Sequence, residues 1–306
     1  MRTNAGRGRM PGTAGAEGAI DMAFALDEIG RWSDEHELTV DAERARAYAA
    51  ATNDPIPAHR DGALAPPVFA VVPIWDTLLA TVTRVCSPQA AMLAVHGEQD
   101  MRFHRPIVPG MTLRSRGAPV GLHVKPSGTT LVSRYETRDA SDGELVNEQY
   151  CVTFFRGVQA DGERGDDAPG HEFPGALPGQ PPAGEVVQHV DDDQTFRYSK
   201  ASGDLMPIHL DDEVARSVGL PGIIVHGLCT MAFVSWGAIQ SVADGDPTRL
   251  QRLAVRFSRP VMPGEDITSR FFATNEGESG TTSYGFETCN PAGEAVLRDG
   301  LVEVAR

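Results

Sequence analysis

Apolar positions along the chain follow two different periods, and each period occurs twice. Gly227–Val242 is apolar on nearly every side, the pattern of a helix with no solvent face. Four runs of alternating apolar and polar residues follow it, Leu250–Phe257, Asp266–Thr274, Thr281–Thr288 and Ala295–Val304, separated by Pro-Gly and Gly-rich turns. The same order stands one half-chain earlier, with a helix over Val68–Thr83 and alternating runs around Met92–Phe103, Thr112–Leu122, Thr129–Thr137 and Asn147–Phe155. A short segment opens each half, where Asp41 or Asp192 is placed to cap a helix that ends near a tyrosine. One helix followed by an antiparallel meander predicts an α+β arrangement, a sheet wrapped around a buried helix.

The halves also match residue by residue. Val40-Asp41 and Tyr48–His59 align without a gap on Val190-Asp191 and Tyr198–His209. Phe103–Gly110 aligns on Phe257–Gly264, Ser127–Thr130 on Ser279–Thr282, and Gly143-Glu144 on Gly293-Glu294. Matches in one order at nearly constant separation mean a duplicated domain. Between the halves, residues 157–186 are dense in Gly, Pro and Asp and lack periodicity, so they read as a linker. The expected division is a flexible tail over 1–30, with Met10 or Met22 as alternative starts, a first domain over 31–156, the linker over 157–186, and a second domain over 187–306.

Composition narrows the function. The 306 residues can bury a sizeable core, and a net charge of -15 argues against a nucleic-acid surface. It leaves room for an anionic ligand held by a few local arginines. Cys86, Cys151, Cys229 and Cys289 are scattered among apolar or small residues, as buried free thiols of a reducing cytoplasm are. No run reads as a bilayer span or a secretory signal, so no membrane partner is expected. Metal-spaced His/Cys sets, Walker loops and dinucleotide glycine motifs are missing, so no metal and no cofactor are expected.

The candidate chemistry lies in the second half. Pro207 separates Asp204 from His209, so the two cannot share a helix face. Gly203 permits a sharp turn that folds the loop back and brings carboxylate and imidazole to one point. A water held there can be deprotonated by one group while the other handles a substrate proton. Asp211 and Asp212 are better placed than Asp204 to cap the helix Glu213–Ser217. Gly227 starts the apolar helix, where a backbone N–H lacks an intrahelical acceptor and the helix dipole adds positive charge. A carbonyl oxygen gaining negative charge would be stabilised there, and His226 would orient the turn or meet a ligand.

Tyr198–Thr230 resembles the signature of MaoC-like, (R)-specific enoyl-CoA hydratases, the hydratase 2 group. Ser202-Gly203-Asp204, Pro207-Ile208-His209 and Val225-His226-Gly227-Leu228-Cys229-Thr230 carry the resemblance. It implies a tandem (double) hotdog, with a degenerate first half and the active site in the second. It also implies syn hydration of trans-2-enoyl thioesters to (R)-3-hydroxyacyl thioesters, or the reverse, with Asp204 and His209 activating water and the Gly227 N–H as oxyanion donor. Ser202, Gly203, His226, Arg256 and Arg259 are the expected substrate contacts, the arginines facing the phosphates of a CoA or carrier-protein arm.

This chain departs from the family pattern at two places. Met206 stands where the family has Asn, and the first half keeps Asp54 and His59 but has Ala65-Pro66-Pro67-Val68 in place of the His-Gly helix start. A thioesterase and a non-catalytic thioester-binding or partner subunit remain the alternative readings. Exposed strand edges predict a homodimer, although a double hotdog already forms its own pseudo-dimer.

Overall fold

Each half begins with a strand that delivers the chain to a helix. In the computed structural model, which describes residues 24–172, 179–274 and 280–306, β1 (His36–Thr39) precedes Asp41. That carboxylate accepts from the Glu43 and Arg44 amides and starts α1 (Ala42–Ala51). A short α2 (Pro57–Arg60) follows. The helix expected over Val68–Thr83 is broken into a 3-10 stretch, Pro67–Ile74, and α3 (Trp75–Val85). Pro73 lies inside the first piece and supplies no N–H, so a continuous α-helical ladder is unavailable there. After α4 (Pro88–Ala91) come β2 (Ala94–Phe103), β3 (Thr112–Lys125), β4 (Gly128–Asp139) and β5 (Leu145–Arg156).

The linker contributes a two-residue strand, β6 (Arg164–Gly165), which pairs with β3, and the start of β7 (Gly184–His189). The described residues near its middle are tied down as well. Arg252 donates to the Gly170 carbonyl, and the buried His171 donates from Nδ1 to the Asp299 carbonyl at 2.6 Å. The expected tail up to residue 23, the linker prolines 174 and 178, and Ser279 lie outside the described residues.

The second half repeats the first with α5 (Gln194–Ser202), a 3-10 turn Pro207–His209, α6 (Asp212–Ser217) and α7 (Gly227–Val242). The meander β8 (Leu250–Phe257), β9 (Asp266–Thr274), β10 (Thr281–Cys289) and β11 (Ala295–Ala305) completes it. The residue preceding α5 is Asp193 rather than the expected Asp192, and its side chain caps nothing. Asp211 caps α6 as expected.

All pairings in the main sheet are antiparallel, in the order β1-β3-β4-β5-β2-β8-β11-β10-β9-β7. The halves join where β2 meets β8, with Glu98 opposite Arg256 and Asp100 opposite Ala254. Every residue of α7 from Leu228 to Ile239 is buried, as its all-round apolar pattern requires. A second contact between halves runs through α1 and α5, where the buried Tyr48 and Tyr198 hydroxyls lie 3.1 Å apart. This pseudo-symmetry places the loop after each helix beside the other half.

The expectation that no segment could span a bilayer needs correction. Pro67–Val85 is 19 residues long and apolar enough by length and composition. In the fold its first part, Val68–Ile74, is buried against the rest of the core. All four cysteines are free thiols, three of them buried.

Candidate active site

The loop after α5 does fold back. Gly203 takes a left-handed φ of +93°, and its amide closes the helix on the Ser199 carbonyl. Ser202 then donates to the Tyr198 carbonyl and accepts from the Asp204 amide at 3.1 Å. The Asp204 carboxylate accepts from the Met206 amide at 3.0 Å, and Pro207 opens the 3-10 turn that presents His209. Asp204, His209 and His226 each offer an atom within 4.8 Å of the others, and all three are buried. The sequence places Asp204 and His209 together, and the structure brings them together with His226 as the third member.

Hydrogen bonds fix the state of both rings. His209 Nδ1 lies 2.8 Å from the Ile224 carbonyl, which can only accept, so Nδ1 carries the proton and Nε2 is the free basic nitrogen. His226 Nε2 lies 3.2 Å from the Asp204 carbonyl and 3.2 Å from Ser199 Oγ, so its proton sits on Nε2. Burial lowers the His209 pKa against the pull of the Ile224 carbonyl. Burial and the nearby His209 push His226 down to about 3. Both imidazoles are therefore neutral at neutral pH. Burial raises the Asp204 carboxyl to about 6, opposed only in part by the Met206 amide.

His209 and His226 stack at 3.8 Å with 25° between their planes. Stacked rings direct their in-plane lone pairs side by side rather than at a common centre. The trio thus suits hydrogen bonding to a small molecule better than coordination of one ion.

His226 is also the residue before α7, and Gly227 is the first residue of that helix. The Gly227 N–H belongs to the first turn, whose donors have no intrahelical acceptor. A Cβ on Gly227 would come within 2.9 Å of the Phe257 ring, so glycine is required by that close approach. Phe257 rests in turn on the His96 ring, with centroids 4.8 Å apart.

The first half shows what a closed version of this loop looks like. Asp54 accepts from the Ile56 amide at 2.8 Å, as Asp204 does from Met206. His59, however, turns Nδ1 directly to the Asp54 carboxylate at 2.7 Å, with both groups buried and no room between them. The Ala65 amide bonds the Ile107 carbonyl just as Val225 bonds Val261, which sets Pro66 opposite His226 and Pro67 opposite Gly227. Proline has no N–H, so the helix-start donor is gone. Asp54→Ala is expected to cost about 1 to 3 kcal/mol of stability by leaving the buried His59 Nδ1 without its partner. Turnover at the second-half site should change by less than about twofold. Urea unfolding together with a steady-state assay checks both.

Other expected contacts fall out differently. Ser202 is buried with its hydroxyl committed within the loop, so it shapes the turn and does not face a substrate. His226 is buried too, and only its Nδ1 lacks a partner among the described residues. The Arg256 guanidinium lies between Glu98, Asp299 and Glu172, which already match its charge. Arg259 is more exposed, with Glu294 at 3.5 Å. Met206 is exposed, and only its backbone enters the site, through the amide on Asp204. Sequence reasoning did not single out Ile224, Ser199 or Phe257. Each acts through a backbone carbonyl, a shared hydroxyl or a packing contact, which no spacing rule announces.

Residues 174–290 match the MaoC like domain, and residues 27–149 match the FAS1-like dehydratase domain region. The chain is 31% identical over 211 residues to the probable enoyl-CoA hydratase 2 of Dictyostelium discoideum, covering 69% of each protein. The chain belongs to the MaoC-like dehydratase family. It is also 27% identical to the 3-hydroxyacyl-thioester dehydratase Y of Mycobacterium tuberculosis, over 75% of this chain and 82% of that protein. With peroxisomal multifunctional enzyme type 2 of Drosophila melanogaster the identity is 32%, over 56% of this chain and 29% of that longer protein.

A MaoC-like dehydratase structure from Phytophthora capsici superposes with a TM-score of 0.77 at 23% identity, covering 92% of this chain and 99% of that one. A Mycobacterium tuberculosis protein described as a double hotdog superposes at 0.56, over 90% of this chain and 96% of that one. The fold is a double hotdog, as the family resemblance implies.

Proposed function

We propose that the protein is a hydro-lyase that adds water to trans-2-enoyl thioesters and removes it from 3-hydroxyacyl thioesters, using one site in the second half. The observation that supports this most is the convergence of Asp204 with the free Nε2 of His209 beside a glycine helix start. The first half lacks both the gap and the N–H.

Water held between Asp204 and His209 attacks C3 of the enoyl group. One of the two takes the water proton as the C–O bond forms and returns it to C2, so the water supplies both added groups from one face. Addition is therefore syn. The Gly227 N–H stabilises the thioester oxygen as negative charge develops on it. A carboxyl whose pKa is raised to about 6 lies close to the range where proton transfer in each direction is efficient, and the neutral His209 ring leaves Nε2 free to accept. The chemistry calls for no cofactor beyond the thioester carrier, CoA or an acyl carrier protein. Arg259, with one carboxylate neighbour, is the better placed of the two expected phosphate contacts.

A panel of enoyl-CoAs of graded chain length, followed by loss of the conjugated thioester and by product stereochemistry, tests the reading. Formation of (R)-3-hydroxyacyl-CoA supports it. Release of free CoA thiol from saturated acyl-CoA, without hydration, would replace it with thioester hydrolysis. The pH profile gives a second check. Activity needs the Asp204 carboxylate, so kcat/KM should fall as pH drops through about 6, well above the range of an ordinary aspartate. An acid limb near pH 4 would remove Asp204 from the base role.

A further inference from the structure

The catalytic loop is held from outside its own half. Arg44, on α1 of the first half, donates from Nε to the Ala201 carbonyl at 3.2 Å and from Nη2 to the Ser202 carbonyl at 3.3 Å. These are among the last carbonyls of α5, which the helix itself leaves without donors. A cation suits that end of a helix dipole. The next residues are Gly203 and Asp204. A Cβ at Gly203 would stand 3.6 Å from Arg44 Nη2 and 3.9 Å from Trp75, so two first-half side chains roof the turn.

Pseudo-symmetry separates what is particular to the catalytic side from what both sides share. In the gapless match Arg44 stands opposite Gln194, and Ala201 opposite Ala51. Gln194 does reach the Ala51 carbonyl, so the mirror contact exists on the side with no open dyad. There a neutral amide meets one carbonyl; at the catalytic loop a guanidinium spans two. Arg44 also has no ion pair among the described residues, unlike Arg197, which pairs with Asp191 and Asp193 while bonding the Ala50 carbonyl. A cavity of about 230 Å³ is bordered by Arg44, Trp75, Ser202 and Gly203. Removing the Arg44 side chain would enlarge it at the turn that leads into Asp204.

We propose that Arg44 is a positioning residue for the second-half site, fixing the end of α5 so that Asp204 stays buried opposite His209. This rests on the hydro-lyase reading above, and it gives the degenerate half a part in holding the catalytic loop. A shift of about 1 Å in a catalytic group lowers turnover by on the order of 100-fold.

The test uses the full-length protein and a short enoyl-CoA. Arg44→Ala should lower kcat by roughly 10- to 100-fold with little change in KM. It should also move the acid limb of the pH profile downward, because Asp204 gains water. The titratable groups facing Asp204 are His209, His226 and the Tyr198 phenol; burial lowers the pKa of both imidazoles and raises that of the phenol. Arg44→Lys, which reaches one carbonyl, should recover part of the rate, and Arg44→Gln, copying the other half, less. Arg197→Ala is the control for a merely loosened interface and should keep its rate.

Wild-type kcat and an unmoved acid limb in Arg44→Ala would overturn the proposal. An equal loss of rate in Arg197→Ala would overturn it too. If Arg44→Ala does not fold, the lysine and glutamine variants carry the same comparison. Asp204→Asn, assayed in parallel, separates the two readings. If it stays active the site itself is misassigned; if it is inactive while Arg44→Ala is normal, only the role of Arg44 fails.

Discussion

Asp204→Asn is expected to lower the rate of hydration by about 100- to 10,000-fold, the usual contribution of a positioned acid–base group, while making the protein more stable at pH 8. The carboxyl is buried and its pKa is raised to about 6. Above that pH the folded protein holds a charge that the unfolded chain would hydrate more easily. A shift from an ordinary aspartate to about 6 corresponds to a cost of order 3 kcal/mol. The sign follows from proton binding. Between the unfolded and folded pKa values the folded state binds more protons, so this group's contribution to stability rises as pH falls. Asparagine removes the cost and keeps an oxygen for the Met206 amide. Thermal melts at pH 8 and pH 4 should show the variant ahead at the first and level with wild type at the second. Near-wild-type turnover, or a variant less stable at pH 8, would contradict the role given to Asp204. His209→Ala should lose activity to a similar degree, since Nε2 is the other free base.

Much of this was written in the sequence, for physical reasons that can be named. The bounds of α7 are those of its apolar run, because a helix buried on all sides has no polar face to blur its ends. The strands of the second meander agree with their alternation within a residue or so, since one face of each is buried. The first-half helix was misread because apolar composition is the same for a 3-10 stretch and an α-helix, and Pro73 decides between them. Asp204 and His209 were legible as a pair because Gly203 and Pro207 leave the loop few ways to run. The His209 tautomer was not legible. It depends on the Ile224 carbonyl, which only the folded turn brings within 2.8 Å.

Comparison of the halves sharpens this point. Both have the Asp and the His at one spacing, yet Asp54 and His59 bond each other while Asp204 and His209 stay apart. Spacing alone therefore does not specify an open site. The difference lies in what each ring nitrogen finds nearby, and in Pro67 standing opposite Gly227.

Gly227→Ala should be nearly as damaging as loss of the acid, and for a different reason. Alanine is a better helix former than glycine by about 1 kcal/mol, so propensity alone would favour the change. Packing opposes it, because the new Cβ would sit 2.9 Å and 3.0 Å from two atoms of the Phe257 ring. The ring is backed by His96, so relief comes mainly by shifting the start of α7. Overpacking of this kind costs about 1 to 3 kcal/mol. Moving the first-turn amide off the thioester oxygen should lower kcat by about 100- to 1,000-fold, as for loss of one oxyanion donor. Phe257→Leu added to Gly227→Ala makes room at the ring and should return part of both stability and rate. If the double variant regains stability but no rate, the glycine matters for more than its clash with Phe257. If Gly227→Ala alone turns over like wild type, the helix-start amide is not the oxyanion donor, and stabilisation of the enolate must come from elsewhere in the pocket.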